Sequence, residues 1–456
     1  MVAETIVGMR GLRSTIALVV VLAGLAAYIY FVTWKKPAEP TSKQEKVFAG
    51  LQTDKIDELK VTSDKGEVSS LKKDHGNWQL MAPVAAKADE MEATAIANAL
   101  GQLEIVRVID ENPSDLKDYG LAMPRIEVEF KAAGDKEYRR LFIGEKSPTG
   151  ADLFAKRNDE KKVFLIPAFQ ETTLNRSTFD LRDKTLLKFE RDKVDGVEVN
   201  VGGKTVQLAK DNAEWKITQP LQTQADLGSI EGLIGRVQTA AMKSMVTETA
   251  SAADLKKYGL DKPAASIDLK LGSARATLAL GGRADDNTVY ARDTSKPTVV
   301  TVDSALADEL KKGADAYRRK DIFEFRPFNA TRIEVARSGQ TVAFEKTKGQ
   351  GKDAGDKWRR VSPTAGDVDK DKIDALISRL SSMRAASFVD ASAKTGLSTP
   401  AMTVTAKFED GKKEERVTFG KVDSDVYAAR SGEPGAAKVD TMDFTEANKT
   451  LDELSK

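Results

Sequence analysis

The chain has no cysteine, a single histidine and a nearly balanced charge, with Lys+Arg 71 against Asp+Glu 70. Without cysteine there are no disulfides, no thiolate metal sites and no cysteine nucleophile. One histidine, His75, leaves little room for a histidine-based metal site or a Ser-His-Asp triad. It lies in the polar turn KKDHGN, and no G-x-S-x-G elbow occurs anywhere. The charge balance argues against nucleic acid as a partner, because binding to phosphates needs a clustered excess of Lys and Arg. No G-x-x-x-x-G-K-[ST] motif is present, so the chain carries no phosphate-binding loop of that kind.

What the chain does contain is a frame that recurs. Trp78, Trp215 and Trp358 are each followed by a proline, Pro83, Pro220 and Pro363, and then by an aspartate, Asp89, Asp226 and Asp369. Three of the four tryptophans therefore share one pattern, the mark of an internal repeat. Before each tryptophan lies an alternating segment: KIDELKV, KVDGVEV and TRIEV. After each aspartate comes helical spacing, as in Leu227, Ile230, Leu233, Ile234 and Val237. The aspartates then read as N-caps of those helices, and Asp89 with Glu92 has capping-box spacing.

Downstream, DLKDYGLAMP (Asp115 to Pro124) is matched by DLKKYGLDKP (Asp254 to Pro263), and the third copy keeps TGLSTP. Gly120, Gly259 and Gly396 each fit the left-handed residue that ends a short helical turn before a proline. Further alternating runs end in LFIG, LALG and VTFG, and then come LFAKR, VYARD and VYAAR. The pattern predicts an α+β class with three tandem repeats, each an antiparallel sheet with helices, stacked as an elongated rod. The basic-ended joints Arg182-Asp183-Lys184 and Arg318-Arg319-Lys320 read as ion-pair stitches between neighbouring repeats.

The uncharged run Ser14 to Trp34 would span roughly 31 Å as a helix, the thickness of a hydrocarbon core. It is flanked by Arg10 and Arg13 and ends in Tyr28, Tyr30 and Trp34, as an interfacial belt does. It predicts a single uncleaved transmembrane helix. The expected layout is a cytoplasmic tail (1–13), the span (14–34), a linker (35–47) and repeats at 48–186, 187–322 and 323–456.

Three further segments invite chemistry and read as structure. The tryptophans suit a ligand groove, yet the shared frame assigns Trp78, Trp215 and Trp358, with Pro83, Pro220 and Pro363, to the core of each repeat. Asp367 to Asp374, DVDKDKID, lacks the Gly and Glu that a calcium loop needs at its sixth and twelfth positions. Gly349 to Gly355, GQGKDAG, leads into the Trp358 strand where a dinucleotide fingerprint would open a helix, so it reads as a Lys-rich hairpin insertion. No residue is assigned to catalysis, cofactor binding or metal binding.

An amino-terminal anchor followed by W-x-(I/L)-x-x-P, Y-G-L-x-x-P and V-Y-A-R resembles the bacterial domain-of-unknown-function 4340 family. The resemblance rests on the three Trp/Pro pairs, on Tyr119-Gly120-Leu121, on Tyr258-Gly259-Leu260 and on Tyr290-Ala291-Arg292. Thr395 stands where the other copies have tyrosine. The resemblance implies a protein anchored in the bacterial inner membrane, its large part periplasmic, associated with ABC transporter subunits of the gliding-motility kind. The expected function is a non-enzymatic scaffold or adaptor. The alternatives are an envelope glycan- or lipid-binding module and, below it, a carboxylate-dependent hydrolase.

Overall fold

The computed structural model describes residues 8–28, 30, 45–347, 356–390 and 392–455. Residues 1–7 of the expected tail, 29 and 31–34 of the expected span, 35–44 of the linker and the 349–355 turn lie outside them.

Nine strands build the first sheet: Ile56–Thr62 (β1), Val68–Asp74 (β2), Asn77–Ala82 (β3), Ala86–Lys87 (β4), Arg107–Asp110 (β5), Ile126–Ala132 (β6), Arg139–Lys146 (β7), Asp152–Arg157 (β8) and Val163–Pro167 (β9). Their order is β4-β3-β2-β1-β6-β7-β8-β9-β5, and every pairing is antiparallel. Two more nine-stranded sheets, within residues 196–303 and 330–439, repeat this order strand for strand. The helices are Gly8–Tyr28 (α1), Glu90–Gln102 (α2), Glu171–Leu174 (α3), Leu227–Thr239 (α4), Ala252–Lys257 (α5), Ser304–Leu310 (α6), Lys370–Ser382 (α7) and Thr441–Ser455 (α8). Sheet dominates, because four of the nine strands in each repeat are additional to those the alternating patterns announce.

Alternation sets which face of each central strand is buried. In β1, Leu59 faces Leu71 on one side and Phe130 on the other, all three buried. Val197 sits the same way between Leu208 and Leu269, and Ile333 between Phe344 and Ala406. Against that face packs the long helix of each repeat: α2 through Ile96 and Leu100, α4 through Ile230, Leu233, Ile234 and Val237, α7 through Ile373, Leu376, Ile377 and Leu380.

Each long helix leads from one edge of its sheet to the other, since α2 follows β4 and precedes β5. Nine flat strands would be roughly 38 Å wide. A helix of 13 residues covers about 20 Å, and the residues between it and the two edge strands span the rest.

The chain divides into two compact units, residues 1–183 and 184–456. The first holds α1 and one sheet, and the second holds the other two. In α1 every described side chain from Ile16 to Tyr28 is exposed. Among the described residues no helix is long and apolar enough to cross a membrane.

Candidate functional site

The recurring tryptophans lie on β3 and its counterparts Glu214–Gln219 and Lys357–Ser362, pointing into the three cores. Trp78 is 1% exposed, Trp215 3% and Trp358 9%, so the three indoles are core residues, although Trp358 also borders a surface cavity with Lys346, Asp367 and Val368. Pro83, Pro220 and Pro363 differ from the expectation that they share the core. All three are exposed at the end of the strand, each after a cis peptide bond. Proline has no N–H to continue a ladder, and there the chain leaves β3 and turns into the short edge strand.

The aspartates cap the long helices. Asp89 accepts from Met91 N and Glu92 N, Asp226 from Ser229 N at 2.8 Å and Asp369 from Lys372 N at 3.0 Å. The capping box expected for Asp89 and Glu92 does not form. The backbone N–H that Glu92 would need is already donated by Asp89 to Leu181 O at 2.9 Å. The Glu92 carboxylate turns instead to Arg176 Nη2, 2.7 Å away.

Gly120, Gly259 and Gly396 all adopt the left-handed conformation, with φ 65, 68 and 67°. Each turn lies against a second glycine in a strand, Gly144, Gly281 or Gly420, where a Cβ would collide with the carbonyl of Tyr119, Tyr258 or Thr395. In the second repeat this turn covers a small apolar cluster of Leu260, Ala279 and Val299, apart from the main core, with Tyr258 against Tyr290 at 4.5 Å. Tyr119 meets Phe154 in the same way at 5.1 Å.

The joint after the second repeat gathers a set of polar contacts. The segment Tyr317 to Ile322 bridges the edges of two sheets through isolated β-bridges at Arg318 and Asp321. Its first half takes the N–H of Asp226 on Tyr317 O (2.8 Å) and donates from Arg319 N to Gln224 O (3.1 Å). Its second half accepts from Ala385 N on Lys320 O (2.7 Å) and donates from Ile322 N to Met383 O (3.0 Å). Arg318 is buried, with its guanidinium 3.8 Å from the centre of the Phe388 ring and Nη2 donating to Pro434 O at 3.1 Å. Thr223 donates to Glu433 at 2.9 Å, across the same joint. Arg319 stands 3.8 Å from Glu433 and 3.7 Å from Glu324. Ion pairs are present, as the sequence suggests, but the backbone hydrogen bonds and the stacked Arg318 do more than exposed pairs can.

Glu415 closes this cluster. It accepts N–H groups from Glu324 and Phe325 at 2.9 and 2.8 Å and lies 3.8 Å from Arg430. Burial pushes its carboxyl above the usual range, although the two backbone donors act in the opposite direction. Nothing in the local sequence marks Glu415, since its partners lie about 90 positions away.

The remaining sequence candidates are dispersed. His75 is in a left-handed turn with its side chain 94% exposed. In the acidic run, Asp369 is a helix cap, Asp367 pairs with Arg359 and Asp374 with Lys370. Among the described residues no three His, Cys, Asp or Glu side chains converge as metal ligands would.

A sequence model of one protein family, described as domain of unknown function (DUF4340), matches the chain three times, over residues 78–216, 215–365 and 358–456. Every match opens on one of the three core tryptophans. No curated protein matches the chain.

Proposed function

Since the chain belongs to the DUF4340 family, whose members share a domain of unknown function, membership brings no activity with it, and we propose that the protein is a non-catalytic, membrane-anchored adaptor. In this reading residues 14–34 lie in the inner membrane of a bacterial envelope. The three sheets stand on the periplasmic side as an accessory part of an ABC-type transport system.

The observation that carries the reading is α1. From Ile16 to Tyr28 all its described side chains are exposed, with Leu18 at 63% and Val20 at 65%. A helix apolar all round needs an apolar surrounding. The stretch Ile16–Tyr28 alone covers roughly 20 Å, less than the roughly 30 Å of a hydrocarbon core, so the anchor needs the uncharged residues that follow, up to Trp34. The role as adaptor draws on the repeats. Their shared residues are spent on cores, caps and turns, which leaves edges and joints as the surfaces that differ between copies.

The test is extraction. Membranes carrying the full chain are washed in alkaline carbonate, and spheroplasts carrying a tag after Lys456 are treated with protease. The adaptor reading expects the protein in the membrane pellet and the tag digested. Release into the supernatant, or a protected tag, overturns it.

A further inference from the structure

The short edge strand of a repeat accepts a further backbone segment in two cases out of three. In the first repeat Asp89 N donates to Leu181 O and Asp183 N to Lys87 O, each at 2.9 Å, and Ala88 faces Arg182. In the second repeat Asp226, Gln224 and Ala225 do the same for Tyr317, Arg319 and Arg318. The matching edge of the third repeat is Gly366–Asp367 with Val368 and Asp369. Gly366 and Asp367 pair inward with Arg360 and Arg359, and Asp369 caps α7.

Outward, the third edge is open. Among the described residues no backbone carbonyl accepts from Asp369 N, and no bridge forms at Val368. Asp369 is exposed where Asp89 and Asp226 are half-buried, whereas Val368 is half-buried like its counterpart Ala225. Among the described residues no backbone segment pairs outward with this edge. α8 runs helical to Ser455, sets Leu451 and Leu454 in the core, and gives its Leu454 carbonyl to Arg360 Nη1 at 3.1 Å.

We propose that the Asp367–Asp369 edge is a docking site for an extended, arginine-bearing segment of a partner protein, which adds to the third sheet as an antiparallel strand. The chain shows twice what such an edge accepts, and the residue opposite its centre is arginine both times, Arg182 and Arg318. Exposed carboxylates stand at the third edge, with Asp371 in the first turn of α7 beside Asp367, which pairs with Arg359, and Asp369, which caps the helix. The large apolar residue before each arginine, Leu181 or Tyr317, is buried in its own repeat's core. The third core already holds Leu451 and Leu454, so the incoming strand needs the basic residue and an extended backbone, not the apolar plug. Backbone pairing of this kind supplies affinity, and the alternate side chains supply selectivity.

This inference deepens the adaptor reading and rests on it for expecting a protein as partner. Carbonate extraction reports on the anchor without involving the edge, so either can fail alone.

The probe is a fluorescein-labelled peptide of residues 314–322, titrated by anisotropy into the full chain in mild detergent. Asp369→Pro removes the outward N–H together with the cap, whereas Asp369→Ala removes the cap and keeps the N–H. Asp369→Pro should weaken binding by about tenfold or more, the equivalent of one lost hydrogen bond of about 1.4 kcal/mol. Asp369→Ala should stay within about threefold, and a peptide with Arg318→Glu should bind about tenfold more weakly than the parent. No binding of the parent peptide, or equal binding to both Asp369 variants, overturns the proposal. So does self-association of the chain that Asp369→Pro abolishes, because a second copy would then be the occupant.

Discussion

Gly281 lies directly under the carbonyl of Tyr258: a Cβ built on it would collide with that oxygen, to which Gly282 N donates a hydrogen bond at 2.9 Å. The same closeness recurs between Gly144 and Tyr119 and between Gly420 and Thr395. The left-handed turn is thus pressed onto the sheet three times, whether its aromatic residue is kept or, as in the third repeat, replaced.

Gly281→Ala should therefore destabilise the second unit by about 2 to 3 kcal/mol, since a backbone carbonyl cannot give way cheaply. Gly232→Ala supplies the contrast. Gly232 is in α4, has open space around its Cα and has an ordinary φ, so alanine should stabilise by about 0.5 to 1 kcal/mol. Urea denaturation of the two variants decides, and equal effects would contradict the turn's close approach.

Arg318→Ala should cost about 2 to 4 kcal/mol, because it removes the stack on Phe388 and leaves Pro434 O without its donor. Arg318→Lys keeps the charge and loses the planar stack, so its cost should be intermediate. A double-mutant cycle with Phe388→Ala should return a coupling of about 1 kcal/mol. Additive losses would show that Arg318 and Phe388 stabilise the joint independently.

Tyr317 is buried, and its hydroxyl has no hydrogen-bond partner among the described residues. Burial, with Glu309 nearby, pushes its phenol up to about 12. The folded state favours the neutral phenol, so this contribution is complete below about pH 10 and is lost as the pH rises towards about 12. Tyr317→Phe should be neutral or stabilising by up to about 1 kcal/mol at pH 7, and its alkaline unfolding should begin at a higher pH. Circular dichroism across pH 8 to 12 measures both.

Glu415 gives a pH signature at the acid end. Its folded carboxyl titrates above the unfolded one because of burial. Its contribution is therefore most favourable at low pH and declines as the pH rises through the folded value. Glu415→Gln keeps an acceptor for Glu324 N and Phe325 N without the buried charge. The variant's melting temperature relative to the parent should be higher at pH 8 than at pH 4.5, and a pH-independent difference would contradict this.

Much of the architecture is visible in the sequence because its signals are local. The frame from tryptophan to aspartate, the helical spacing after Asp226 and the glycines at 120, 259 and 396 each report a strand, a helix or a turn built from neighbouring residues. What is hidden depends on distant contacts. β9 is Val163-Phe164-Leu165-Ile166-Pro167 with its first four residues buried, so alternation disappears where both faces of a strand are covered. β4 and β5 are too short to show a period. The joint segment reads as a run of charges, and only its partners at Gln224 to Asp226 and at Met383 to Ala385 reveal that it bridges two sheet edges. The prolines that follow the tryptophans suggest a common core, but they lie exposed where the chain leaves the strand.

The adaptor claim is tested most directly by crosslinking in native membranes. Recovery would use a tag after Lys456, with mass spectrometry of the adducts. The account predicts covalent adducts with the membrane subunit or ATPase of one ABC-type transporter, lost when residues 1–34 are removed. Recovery of envelope glycan or lipid alone, or of the chain without any protein adduct, would contradict it.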